Sequence, residues 1–208
     1  MIIPPLIGKD SGMSIPQQEQ WAIEDGQTEW SALSAEAKRE RILRAAGQVF
    51  GSDGLEAPMP AVAAAAGAGV GSLYRQFPSK HELLAALVVR RLEYLGGAFR
   101  DAVAAPEGAH WEAMQKMLWT VVQEDHADDF LGEAVAVVAE HPDVVVAMTR
   151  AQDEINVMLA LTIAEGKLRV DADTLDLRLL FAAMRAARRV EPDAWRRMLT
   201  LIIDGLRA

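Results

Sequence analysis

Within residues 65 to 83, AAGAGVGSLYRQFPSKHEL, polar side chains sit on a helix only about two turns long, entered through glycine and left through proline. Arg75 and Gln76 can donate and accept hydrogen bonds at planar polar edges. Gly69, Gly71 and Ser72 are small enough to let a partner come close. Such a set suits the major groove of double-stranded DNA, which just admits an α-helix and whose base edges must be approached by the helix's early residues. A tight helical hairpin inside an ordinary bundle would use the same glycines for close packing. Spacing alone leaves both readings open.

The flanking elements decide what those residues can reach. Ser34 can cap a helix running to about Phe50, with Ile42, Ala45, Ala46, Val49 and Phe50 on one apolar stripe. Lys38, Arg39 and Arg44 lie off that stripe or at its edges, where they are candidate DNA-backbone contacts. GSDG ends this helix. A short second helix fits Met59–Ala66, with Pro58 and Pro60 tolerated in its first turn. Gly67, Ala68 and Gly69 form a turn, and a third helix runs from Val70 to about Phe77. Val70, Leu73 and Phe77 are expected inward, Gly71, Ser72, Arg75 and Gln76 outward, and Tyr74 at the boundary. Two short helices joined by a glycine turn make a helix-turn-helix. Ser79-Lys80-His81-Glu82 has the form of a capping box that opens a long helix to about Val103.

Further helices are expected at about 107–124, 128–140, 142–165, 174–190 and 192–207. Alanine, leucine, arginine and glutamate are abundant, and the fold class is all-α, about nine helices in total. The expected organisation is a flexible extension over 1–33 with a short helix near Gln17–Glu24, a helix-turn-helix domain over 34–78, and a helical dimerisation domain over 79–208.

The 208 residues are 51% hydrophobic, enough for a substantial core. No segment reaches the length of a membrane span, and MIIPPLIGKDSGM lacks the basic leader of a signal peptide. With no cysteine as well, a cytoplasmic protein without membrane contact is expected. The formal net charge is −9, which speaks against a nucleic-acid partner. It is uneven, however: residues 1–33 carry −4, whereas 34–82 carry +1.

Other chemistries find little support. There is no serine nucleophile elbow, phosphate loop or His-Glu-x-x-His, so no catalytic residue is nominated and no enzyme is expected. EDHADD (124–129) and EHPD (140–143) bring imidazoles and carboxylates together, but at helix boundaries where acids favour the next N-terminus. No metal and no cofactor are expected.

Towards the C-terminus, Trp195, Met198, Leu199, Ile202 and Leu206 form one stripe, with Leu201 and Ile203 off it. Leu177, Leu180, Phe181 and Met184 form another, beside Ala182, Ala183, Ala186 and Ala187. Both stripes are assigned to a four-helix homodimer interface, with a plain intramolecular core as the alternative.

The 41–84 region closely resembles the DNA-binding region of the TetR (tetracycline repressor-like) family of bacterial transcriptional regulators. The resemblance rests on RILRAAGQVFGSDGLEAP, VAAAAG and GSLYRQFPSKHELL. It implies that Tyr74 and Lys80 grip DNA phosphates and that Val70, Gly71, Ser72 and Arg75 face bases, with Gln76 adjacent. It also implies that the helical domain over 79–208 is ligand-binding as well as dimerising, with a pocket for a small apolar inducer. Phe99, Trp111, Met114, Met117, Leu118, Trp119, Phe130, Met148 and Met158 are its candidate walls, since tryptophan and methionine adapt to irregular ligands, though such a stripe also serves as plain core. His110 or His126 is a candidate polar group there. The implied partner is a near-palindromic operator. Three departures thin the phosphate contacts: Pro58 stands where many members have threonine, Gln76 replaces a common histidine, and Gly69 a common serine cap. The function expected is a ligand-responsive repressor, with a helical adaptor or ligand-binding protein that has lost specific DNA binding as the alternative.

Overall fold

A computed structural model describes residues 29–124 and 130–208. The expected helix near Gln17–Glu24 and residues 125–129 of EDHADD, His126 among them, lie outside this range. Among the described residues there are nine α-helices and one 3-10 turn, Trp30–Ala32. By its contacts the chain divides into two units, Met1–Arg41 and Ile42–Ala208.

Helix α1 spans Ala35–Asp53. Ser34 starts it, its Oγ accepting from the Ala37 N–H at 3.1 Å. The helix runs three residues past Phe50, and Gly54, at φ +76°, ends it in the left-handed region open to glycine. In the first unit, the Lys38 ammonium lies 6.0 Å from the centre of the Trp30 ring.

In the second unit, α2 (Met59–Ala65) and α3 (Val70–Gln76) pack against each other. The turn between them is a Schellman motif: Ala68 N–H donates to Ala63 O at 2.9 Å and Gly67 N–H to Ala64 O at 3.0 Å. Gly67 takes φ +64°, which a side chain would resist. Helix α4 (Lys80–Val103) follows, capped by the Ser79 hydroxyl, which accepts from Glu82 N–H at 3.2 Å.

The remaining helices are α5 (His110–Glu124), α6 (Leu131–Val138), α7 (Pro142–Ala164), α8 (Thr174–Val190) and α9 (Ala194–Leu206). Helix α4 packs most extensively along α7 and also touches α5 and α6, while α8 pairs with α9. A ring contact between Phe50 and Phe130, 6.0 Å between centroids, ties α1 to the turn before α6. Phe99, Trp111, Met114, Leu118, Met158, Leu177, Leu180, Met184, Trp195 and Leu199 join one buried cluster. The chain end is pinned to the loop before α8, with Ala208 N–H donating to Lys167 O and Arg169 N–H to Leu206 O, each at 3.0 Å. No helix among the described residues is long and apolar enough to cross a membrane.

Candidate nucleic-acid interface

Helix α3 is held from one side. Leu73 and the following Phe77 are fully buried, and everything that could recognise a partner is on the other face. Gly71 and Arg75 are exposed, Ser72 and Gln76 half-buried, and Tyr74 is 44% exposed. Val70 departs from the inward position expected of it: it is 43% exposed. As the first helical residue it precedes the part of α3 that packs, so its side chain joins the outward set.

The outward face has a defined internal geometry. The Arg75 guanidinium donates to Ser72 Oγ at 2.8 Å, one turn back, which steadies a long side chain that would otherwise sample many rotamers. The Lys80 ammonium lies 5.6 Å from the centre of the Phe50 ring, a cation–π contact that fixes its stem at the start of α4. A Cβ built on Gly69 or Gly71 would meet nothing within 4 Å, so neither glycine is there to relieve a clash within the chain. Gly69 is the N-cap of α3 in an extended conformation, and Pro58 plays that part for α2, neither with a side-chain cap bond.

Of the basic residues on α1, Lys38 and Arg39 fall in the first unit, Lys38 half-buried and Arg39 exposed. Arg44 falls in the second and is half-buried, with its Nε enclosed.

A profile of bacterial regulatory proteins of the tetR family matches residues 42–87, the segment that contains α2, α3 and the start of α4. Over this segment the chain is similar to the TetR family. It is 34% identical over 112 residues to the HTH-type transcriptional repressor KstR of Rhodococcus jostii (strain RHA1), covering 53% of this chain and 51% of that repressor. The chain thus spans about half the length of this relative. Over its whole fold it is similar to the TetR transcriptional regulator SCO0520 from Streptomyces coelicolor, at 26% identity and TM-score 0.60, covering 81% of this chain and 98% of that one. A complex of SmeT with triclosan shares the fold at 22% identity and TM-score 0.59, covering 83% and 92% of the two chains. SmeT is the repressor of the Stenotrophomonas maltophilia multidrug efflux pump SmeDEF.

The residues assigned to a ligand pocket distribute over core and surface. Phe99, Trp111, Met114, Met117, Leu118 and Met158 are core, Phe130 is buried in the turn before α6, Trp119 is half-buried against that core and Met148 is exposed. None of the nine lines the open cavity of about 450 Å³ between α4 and α7, whose walls include Val89, Leu92, Glu93, Arg100, Val146 and Arg150. Sequence periodicity missed this groove because its walls are the half-exposed flanks of two helices.

His110, the candidate polar group, is committed elsewhere. Its Nδ1 lies 2.7 Å from Glu165 Oε1, and the same carboxylate accepts the His110 N–H at 2.9 Å and the Trp111 N–H at 3.1 Å. Glu165 therefore caps α5 from the end of α7. Burial opposes its ionisation, but the two backbone donors and the His110 ring outweigh burial and lower its pKa.

The residues assigned to a dimer face are also redistributed. Leu177, Leu180, Met184, Trp195, Leu199 and Leu206 are buried inside the chain's own core. Phe181 and Ile202 are partly buried against it, and Ile203, placed off the stripe, is core as well. The faces left open are Leu175, Leu179, Ala182 and Ala186 on α8, and Met198, Leu201 and Gly205 on α9.

Proposed function

We propose that the chain is a homodimeric, ligand-responsive DNA-binding transcriptional regulator acting in the cytoplasm as a repressor. The observation that carries this reading is the outward face of α3. Two glycines without a packing reason stand beside Ser72, Tyr74 and an Arg75 that is already oriented. Space beside a hydrogen-bonding fork is what close approach to base edges requires. Val70, Gly71, Ser72, Arg75 and Gln76 face bases in this reading. Tyr74 and Lys80 hold phosphates, with Lys38, Arg39 and Arg44 as further backbone contacts. The operator is near-palindromic, its half-sites spaced by about one helical turn or a multiple of it.

The dimer forms through the open stripes of α8 and α9. Leu175, Leu179, Ala182 and Ala186 recur at steps of four, three and four, and Met198, Leu201 and Gly205 at three and four. That is the seam of a helical bundle, here left outside the chain's own core. The α4–α7 groove seats the effector, its walls combining Val89, Leu92 and Val146 with the charged side chains of Glu93, Arg100, Asp143 and Arg150. Since α4 continues directly from the reading helix, a ligand that binds better to one setting of α4 against α7 shifts the spacing of the two reading heads.

The deciding experiment is binding of the purified chain to the DNA flanking its own gene, across a salt series, beside a scrambled duplex. Preference for the native flank that is lost in Tyr74→Ala plus Lys80→Ala supports the proposal. A folded dimer with no preference, unchanged in that double variant, sinks it. The charge of the 34–82 segment, only +1, favours the second reading in that event: a helical ligand-binding protein that has lost operator recognition.

A further inference from the structure

From the grouping of His81, Glu82 and His141, residues about 60 positions apart in the chain, we infer a binding site for a borderline divalent transition metal such as Zn²⁺, Co²⁺ or Ni²⁺. Each of the three can offer one ligand atom within 4.8 Å of the other two. His81 and Glu82 lie in the first turn of α4, and His141 caps the first turn of α7. The imidazole Nε2 of His141 stands 3.4 Å from Glu82 Oε2. Two ligands about 2.0 Å from a tetrahedral zinc ion stand about 3.3 Å apart, so this edge of the polyhedron already has its length. The His81 ring lies beside that of His141, 5.7 Å between centroids and tilted by 42°, an arrangement in which two nitrogens can turn to one point.

The donor set chooses the ion. Two imidazoles and one carboxylate suit zinc and its neighbours, whereas calcium and magnesium want oxygen. Three protein ligands leave a position for water, as in open zinc sites. His141 shows what binding would displace. Its Nδ1 accepts from Asp143 N–H at 3.3 Å, so a neutral ring carries its proton on Nε2, directed at Glu82. An ion replaces that proton; Nδ1 then takes one up and releases the Asp143 N–H, at an exposed residue, to water. The bond given up is long, and both helix ends are positive, but Glu82 and Asp143 place carboxylates in those first turns. The sequence pointed away from this site because EHPD offers a single imidazole, and the other comes from a segment read only as a capping box.

An ion here ties the start of α4, one residue after Lys80, to the start of α7. That consequence for the reading head rests on the DNA-binding proposal; the site itself does not. The test is calorimetric titration of Zn²⁺ into the metal-stripped full chain without a polyhistidine tag. A parallel Co²⁺ titration reads coordination in the visible band. One Zn²⁺ per chain is expected, with affinity falling by at least about tenfold in His81→Ala and in Glu82→Gln, while both variants keep the helical circular dichroism of the parent. His81→Ala is the cleaner variant, because His81 caps no helix. Absence of saturable binding at zinc concentrations up to about 1 mM, or variants that bind as the parent does, would overturn the proposal.

Discussion

Gly71 occupies the second position of α3, where an added Cβ would meet no atom within 4 Å. Inside a helix glycine costs about 0.5–1 kcal/mol relative to alanine, and nothing in the chain's own packing offsets that. Gly71→Ala should therefore raise thermal stability by up to about 1 kcal/mol while weakening operator binding, because the methyl group projects where the proposed complex places base edges. Denaturation and DNA titration on the same sample check both halves; a variant both more stable and equally tight would remove the close-approach argument. The outward set was largely legible from sequence, since Leu73 and Phe77 fix which side of α3 is buried. Val70 was not. Its spacing from Leu73 is that of a core residue, and only its place at the very start of a seven-residue helix exposes it.

At the scale of elements, helix existence followed from periodicity and punctuation, and α8 came out with the expected ends, Thr174 to Val190. Which face of a helix meets its own core was harder. Both α8 and α9 carry apolar residues on two sides, and composition does not say which side belongs to a partner. Leu177, Leu180 and Trp195 joined the buried core, while Leu175 and Leu179, leucines at the same kind of helical spacing, stayed open. The proposed interface predicts a separation of effects. Leu179→Glu with Leu201→Glu, at positions 58% and 54% exposed, should yield a folded monomer in sedimentation. Leu180→Ala should instead cost about 2–5 kcal/mol of stability in a chain that still dimerises when folded. Monomerisation by neither exposed substitution would return the interface to another face.

The junction of α5 and α7 makes a separate prediction at this scale. Glu165 accepts two backbone N–H groups and meets the His110 ring, and its pKa is lowered from 4.5. A carboxylate that titrates lower in the folded chain stabilises it above its unfolded pKa, and that contribution fades as pH falls through the folded value. Glu165→Gln should thus be less stable than the parent at neutral pH, with the gap narrowing only below about pH 4.5. Parallel melts of the two proteins across the acid range measure it. A gap that instead closes on raising the pH would show that the charge is not what holds the α5 terminus.

For the whole molecule, charge sets the terms of association. The chain carries −9, and its proposed reading segment only +1, so in the proposed complex the long-range field does not draw DNA in and phosphate contacts are few and local. Each neutralised phosphate contributes about −0.9 to the slope of log affinity against log salt. Lys80 is one such contact per subunit in the proposed complex, held in place by Phe50. Lys80→Ala should make the slope of a dimer shallower by about two and weaken operator and scrambled DNA alike. Arg75→Ala should leave the slope nearly unchanged and erode the preference for the operator, because its guanidinium is steadied by Ser72 towards the reading face rather than the backbone. Two salt series, one on each duplex, separate these outcomes. If Arg75→Ala flattens the slope as Lys80→Ala does, Arg75 is a phosphate contact and α3 sits in the groove by a different edge.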